Sequence, residues 1–87
     1  MSNKLSVCFV EDEPLMRKYL NDNISNIHSD FYIEDLASNF SEASNLLLNN
    51  NYDLLIADIK IPGGTGLELI EKLRKQSSDM PVVIITG

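Results

Sequence analysis

Four short runs of apolar, mostly branched residues, at positions 5–10, 31–37, 53–57 and 81–86, alternate with longer stretches whose apolar residues recur every three or four positions. That alternation predicts repeated βαβ units, and so a parallel sheet with helices packed on its faces. The first, third and fourth runs are nearly continuous in apolar residues, as strands buried on both faces are. The second, Phe31-Tyr32-Ile33-Glu34-Asp35-Leu36-Ala37, carries more polar residues and reads as a strand nearer the sheet edge.

The intervening stretches predict three helices. Pro14, whose fixed φ suits the first helical position, opens the first. Its apolar stripe runs through Leu15/Met16, Tyr19/Leu20, Ile24 and Ile27, which predicts one buried face. A second helix over 40–49 presents Phe40, Ala43, Leu47 and either Leu46 or Leu48. Asn39 followed by Glu42 is its start signal, and the run Asn49-Asn50-Asn51 ends it. In the third, Thr65-Gly66-Leu67-Glu68 has the form of a capping box, and Leu67, Ile70 and Leu73 form the expected stripe. Arg74 and Lys75 close it where the helix dipole favours positive charge.

Composition narrows the class. At 87 residues, 44% hydrophobic and 23% charged, the chain reads as one globular domain over residues 1–87. A formal net charge of −6 argues against direct nucleic-acid binding by this segment, since phosphates would be repelled. Cys8 is the only cysteine and lies within an apolar run, so it reads as a small buried hydrophobe. The N-terminal sequence has no signal-peptide pattern, and no apolar run approaches the roughly 18 residues of a membrane span. The expectation is a cytoplasmic domain without membrane contact. His28 stands alone and reads as a surface histidine, and no cysteine–histidine pattern suits zinc.

The chemistry is left to the acids. In open parallel sheets ligands bind beyond the carboxyl ends of the strands, where the strand order reverses. Glu11 and Asp12 leave the first strand and Asp58 ends the third, and a strand order of 2-1-3-4 makes those two strands neighbours across the switch point. Like charges about 4 Å apart repel by about 1 kcal/mol in water and about 4 kcal/mol at an effective dielectric of about 20. A proton or a cation must therefore offset such a cluster. Oxygen ligands without His or Cys suit Mg²⁺, which keeps several waters and completes its shell with phosphate oxygens.

Three segments then carry a resemblance. Val10-Glu11-Asp12-Glu13-Pro14, Asp58-Ile59-Lys60-Ile61-Pro62-Gly63-Gly64-Thr65-Gly66-Leu67 and Pro81-Val82-Val83-Ile84-Ile85-Thr86-Gly87 resemble, in this order, the receiver domain of bacterial two-component response regulators. The resemblance implies a flavodoxin-like, doubly wound α/β fold of strand order 2-1-3-4. It implies that Asp58 accepts a phosphoryl group from a sensor histidine kinase, a phosphotransfer protein or a small acyl phosphate, with Mg²⁺ as cofactor. Asp12 and Asp58 would ligate the metal, Lys60 would contribute its backbone carbonyl, and Glu11 would act through water. Thr86 would hydrogen-bond the bound phosphoryl group. The chemistry would be self-catalysed at Asp58, so the domain would be a switch and not a turnover enzyme. Pro62, Gly63, Gly64 and Gly66 read mainly as a tight loop before the third helix. Thr65 stands where the family usually has Asp or Asn, and keeps the capping function.

The sequence ends at Gly87, after the fourth strand, whereas receivers continue through a fourth helix, a fifth strand and a fifth helix. The expectation is a receiver truncated to its N-terminal two-thirds, lacking the phosphoryl-contacting lysine and the switch aromatic. An exposed fourth strand would then favour self-association. Two other functions compete. A Mg²⁺-dependent phosphatase-like hydrolase would want Asp-x-Asp after the first strand, where Glu11-Asp12-Glu13 offers a single aspartate. A receiver-like interaction module that is never phosphorylated would have no use for intact acids and Thr86.

Overall fold

The computed structural model describes residues 4–27, 30–76 and 78–85. Its elements run β1 (Leu5–Val10), α1 (Pro14–Ile27), β2 (Phe31–Ala37), α2 (Phe40–Asn49), β3 (Leu54–Asp58), β4 (Lys60–Ile61), β5 (Gly64–Thr65), α3 (Gly66–Lys75) and β6 (Val82–Ile85). The four long strands form one parallel sheet in the order β2-β1-β3-β6, so β6 is the fourth strand of the 2-1-3-4 arrangement. The chain moves from β1 to β2 in one direction and returns past β1 to β3. Right-handed crossovers therefore place α1 on one face and α2 and α3 on the other.

Side chains alternate between those faces. Cys8 and Val10 of β1, Ala37 of β2, and Leu55 and Ala57 of β3 pack with Ala43 and Leu47 of α2 and Leu69 and Leu73 of α3. Val7 and Phe9 alternate with them and point to the side of α1, where both are fully buried. Burial of a side chain such as Leu55 or Leu69 contributes about 1.5–3 kcal/mol. A bulge between Val7 and Cys8 breaks the β1–β2 register, and beyond it Asp35 accepts a 2.6 Å hydrogen bond from the Tyr52 hydroxyl. At the opposite end of β1, the Asp53 carboxylate accepts from the Ser6 backbone N–H at 2.8 Å and from its hydroxyl at 3.3 Å.

That contact explains one shift from the sequence reading. Asp53 serves as a staple before the strand, so β3 starts at Leu54 and extends to Asp58, which pairs with Ile85. The helix starts follow the sequence signals. Asn39 Oδ1 caps α2 by accepting from the Glu42 N–H, while Glu42 Oε1 accepts from the Ser38 N–H and hydroxyl. Thr65 Oγ1 accepts from the Glu68 N–H and donates to Glu68 Oε1, a variant of the reciprocal capping box.

The predicted stripes need two corrections. In α3 the buried face is Gly66, Leu69 and Leu73, with Ile70 half-buried and Leu67 exposed. The close approach of Gly66 to the sheet sets the helix's rotation, which carries Leu67 outward. In α1, Leu15, Met16 and Tyr19 are exposed at 76%, 42% and 59% and Leu20 is half-buried, because the helix lies chiefly along β2 and no other described element covers that flank. In α2, Leu46 and not Leu48 turns toward the core.

Candidate metal centre

Glu11 and Asp12 follow the last residue of β1, and Asp58 is the last residue of β3, the neighbouring strand. Their positions result from the parallel pairing of Val10 with Ala57, which brings both carboxyl ends to one level of the sheet. One carboxylate oxygen from each of Glu11, Asp12 and Asp58 lies within 4.8 Å of the others. Glu11 is buried at 8% exposure, Asp58 is half-buried and Asp12 is exposed. The cluster floors a cleft of about 380 Å³ whose walls are Glu13, Met16, Leu20 and Ile85.

The electrostatics reflect that crowding. Burial raises the Glu11 carboxyl above the ordinary carboxylate range, and hydrogen bonding and repulsion from Asp58 push it further the same way. The Glu13 backbone N–H, donating to Glu11 Oε2 at 3.2 Å, partly opposes the shift. A divalent cation bound among these acids would offset the repulsion. The donor set fits such a cation: oxygen atoms only, in a cleft with room for waters and a phosphoryl group.

Lys60 opens a two-stranded antiparallel hairpin, Lys60–Ile61 against Gly64–Thr65, in place of the simple tight loop expected from sequence. Gly63 at its turn has φ 91°, a conformation that glycine adopts without strain. Gly66 returns the chain to α3, its N–H donating to the Ile59 carbonyl at 2.9 Å. Thr86 and His28 lie outside the described residues. Sequence reasoning left Glu13 evenly between a first-turn helix residue and a site residue, and the structure places it just before α1 on the cleft wall; Met16, Leu20 and Ile85 were missed as walls of the cleft. The signal for them was the first turns of the helix after Asp12 and the last residue of the fourth strand.

A four-stranded parallel sheet in the order β2-β1-β3-β6, with three acids gathered beyond the carboxyl ends of its two central strands, defines an open α/β domain with its candidate site at the topological switch point. The chain belongs to the response regulator receiver domain family, whose model matches residues 7–87. It is 34% identical over 83 residues to the transcriptional regulatory protein MalR of Bacillus subtilis, an alignment covering 95% of this chain and 35% of MalR. The chain thus spans about a third of the length of curated relatives such as MalR. Among solved structures, the response regulator TrrA of Thermotoga maritima in complex with Mg²⁺ and a beryllium fluoride superposes with a TM-score of 0.82 at 34% identity, over 94% of this chain and 69% of TrrA. The complex of TrrA with the histidine kinase ThkA gives a TM-score of 0.77 at 30% identity, over 95% of this chain and 69% of the matched chain.

Proposed function

We propose that this chain is a phospho-accepting receiver. Asp58 takes a phosphoryl group from a phosphohistidine on a sensor histidine kinase or phosphotransfer protein, or from a small acyl phosphate, in a Mg²⁺-dependent reaction whose product switches an output. The observation that carries this reading is the convergence of Glu11, Asp12 and Asp58 within 4.8 Å at the floor of an open cleft. The Mg²⁺–beryllium fluoride and kinase complexes of TrrA support the choice of cofactor and partner.

In this reading Asp12 and Asp58 ligate the metal, Lys60 adds its backbone carbonyl and Glu11 holds a coordinated water. Bound there, Mg²⁺ supplies positive charge to the phosphoryl oxygens as charge shifts during transfer. An Asp58 carboxylate oxygen attacks phosphorus as its bond to the donor imidazole nitrogen, or to the acyl oxygen, breaks. The electron pair leaves with the donor, and Asp58 becomes an acyl phosphate. Thr86 hydrogen-bonds the new phosphoryl group and reports its presence, a role supported by the sequence resemblance. Hydrolysis of the acyl phosphate returns Asp58, so the domain resets itself without being a turnover enzyme.

No helix among the described residues is long and apolar enough to cross a membrane, and the net charge of −6 opposes nucleic-acid contact; the one cysteine, Cys8, is free and buried, which suits the reducing cytoplasm in which we place the domain. Val83 and Ile85 on β6, the outer strand of the described sheet, are exposed at 47% and 37%, and Leu15, Met16 and Tyr19 of α1 are exposed as well. These surfaces favour self-association through β6.

Incubation with acetyl phosphate and Mg²⁺, followed by intact-mass measurement, tests the proposal. One added phosphoryl group that is lost in Asp58→Asn and absent with a chelator is expected. Equal labelling of Asp58→Asn overturns the acceptor assignment, and multiple turnover of a phosphate ester without labelling points to a hydrolase.

A further inference from the structure

Phe40 lies outside the carboxylate cluster, at the first position of α2, yet it is tied to the hairpin that follows Asp58. Its backbone N–H, one of the donors that a helix start leaves without an intrahelical partner, donates to the Pro62 carbonyl at 2.8 Å. Its ring lies against β5. A Cβ built on Gly64 would stand 2.5 Å from Phe40 Cδ2 and 2.9 Å from Cγ, so a side chain there would meet the root of the ring and not a movable tip. A Cβ on Gly63 would stand 3.4 Å from Phe40 Cβ. From α3, Lys72 Nζ sits 5.6 Å from the ring centroid, within cation–π range.

The ring thus fills the volume that a side chain at position 64 would need. This matters because a hairpin with two adjacent glycines is conformationally loose on its own. At its base it is tied by the Gly66 N–H bond to Ile59; at its turn, by Phe40. Lys60 lies between those two anchors. We infer that Phe40 is a positioning residue for the metal centre: with Gly64 as its size complement, it locks the 60–65 hairpin and so holds the Lys60 backbone carbonyl in place for a divalent cation. The inference rests on the metal-binding roles proposed above for Asp58 and Lys60.

The test compares wild type, Phe40→Ala, Gly64→Leu and the double variant Phe40→Ala/Gly64→Leu by two readouts. The first is amide hydrogen exchange at Gly66 and Thr65 in metal-free protein, and the second is Mg²⁺ affinity by NMR titration. Each single variant is expected to bind Mg²⁺ about tenfold more weakly, at the lower end of what losing an outer support of a metal site does, and to exchange faster in the hairpin. The double variant, which moves bulk from 40 to 64, is expected to recover at least about threefold of that affinity. Phe40→Leu, which keeps most of the volume, serves if Phe40→Ala does not fold, and is expected to fall between wild type and Gly64→Leu. Folded Phe40→Ala, or Phe40→Leu in its place, with affinity indistinguishable from wild type overturns the inference, as does a double variant no better than Gly64→Leu. Wild-type protein that binds no Mg²⁺ overturns the metal reading and this inference together, whereas normal wild-type binding with no effect in the variants overturns the inference alone.

Discussion

Gly66 and Asp58 touch through their backbones: a methyl group added to Gly66 would stand 2.6 Å from the Asp58 carbonyl oxygen and 2.9 Å from Ile84 Cδ1. The first residue of α3 is thereby pressed against the strand end that carries the central acid of the site. Overpacking of this kind costs about 1–3 kcal/mol. Gly66→Ala is therefore expected to lower stability by about that amount, measured by urea denaturation, and to weaken Mg²⁺ binding because Asp58 must shift. Unchanged stability would mean that the helix start yields without disturbing the strand.

The raised pKa of Glu11 sets a pH dependence of opposite sign for the metal-free and metal-bound protein. Because its folded pKa lies above that of the unfolded chain, its contribution is fully present below the unfolded value, near 4.3, and is lost as pH rises through the folded value. Metal-free Glu11→Gln, neutral at every pH, is expected to show a higher urea midpoint than wild type at pH 7 and a flatter profile as pH rises above the unfolded value. Mg²⁺ competes with the proton, so wild-type affinity is expected to rise with pH over the same titration. Isothermal titration at several pH values checks this through the protons released on binding.

Much of this arrangement was legible in the sequence, and particular residues show why. The strands at 5–10 and 31–37 and the helices opening at Pro14 and Phe40 fall where the apolar periodicity put them, because each element buries a face whose spacing matches its own geometry. The meeting of Glu11, Asp12 and Asp58 was legible because right-handed crossovers leave few topologies for four such strands. The rotation of α3 was not, since Leu67 and Leu69 fit helical spacing equally well and the choice is made by the packing of Gly66 against Asp58, a tertiary contact that the spacing of the leucines does not encode. Nor was the exposure of Leu15 and Tyr19, because periodicity marks an apolar flank without saying what covers it. The hairpin at 60–65 was hidden by its glycines, which look like any loop until the Phe40 ring is placed against them.

The Tyr52–Asp35 hydrogen bond joins the segment before β3 to β2, just after the β1–β2 register shift, with Tyr52 at 7% exposure. Burial, and then the bond to Asp35, push the phenol well above its ordinary range. Tyr52→Phe leaves Asp35 without this donor and is expected to cost about 1–3 kcal/mol, read from chemical denaturation. In the wild type, absorbance titration should show a tyrosine that ionises only as the protein unfolds in alkali.

Cys8 is fully buried, and burial together with the nearby Asp35 and Glu34 carboxylates raises its thiol to about 12. A thiol so suppressed is a poor nucleophile. Ellman's reagent is expected to leave the native protein unlabelled and to modify it stoichiometrically in denaturant. Rapid labelling of the native form would contradict the burial of β1.

The exposed Leu15, Tyr19 and Val83 give the proposed self-association a direct check. Sedimentation velocity is expected to show concentration-dependent association that Val83→Glu on β6 weakens by about tenfold or more, since a buried charge at the contact opposes pairing. A monodisperse monomer across the accessible concentration range would exclude the contact.

Phosphorylation of Asp58 at the metal site proposed for Glu11, Asp12 and Asp58 is open to direct test. The most direct measurement is trapping: treatment with acetyl phosphate and Mg²⁺, reduction of the acyl phosphate by borohydride, and peptide mass spectrometry to locate the reduced residue. Homoserine at position 58, formed only when Mg²⁺ is present, is the predicted result. A modification at Glu11 or Asp12 instead, or the same yield at position 58 with the metal chelated, would contradict it.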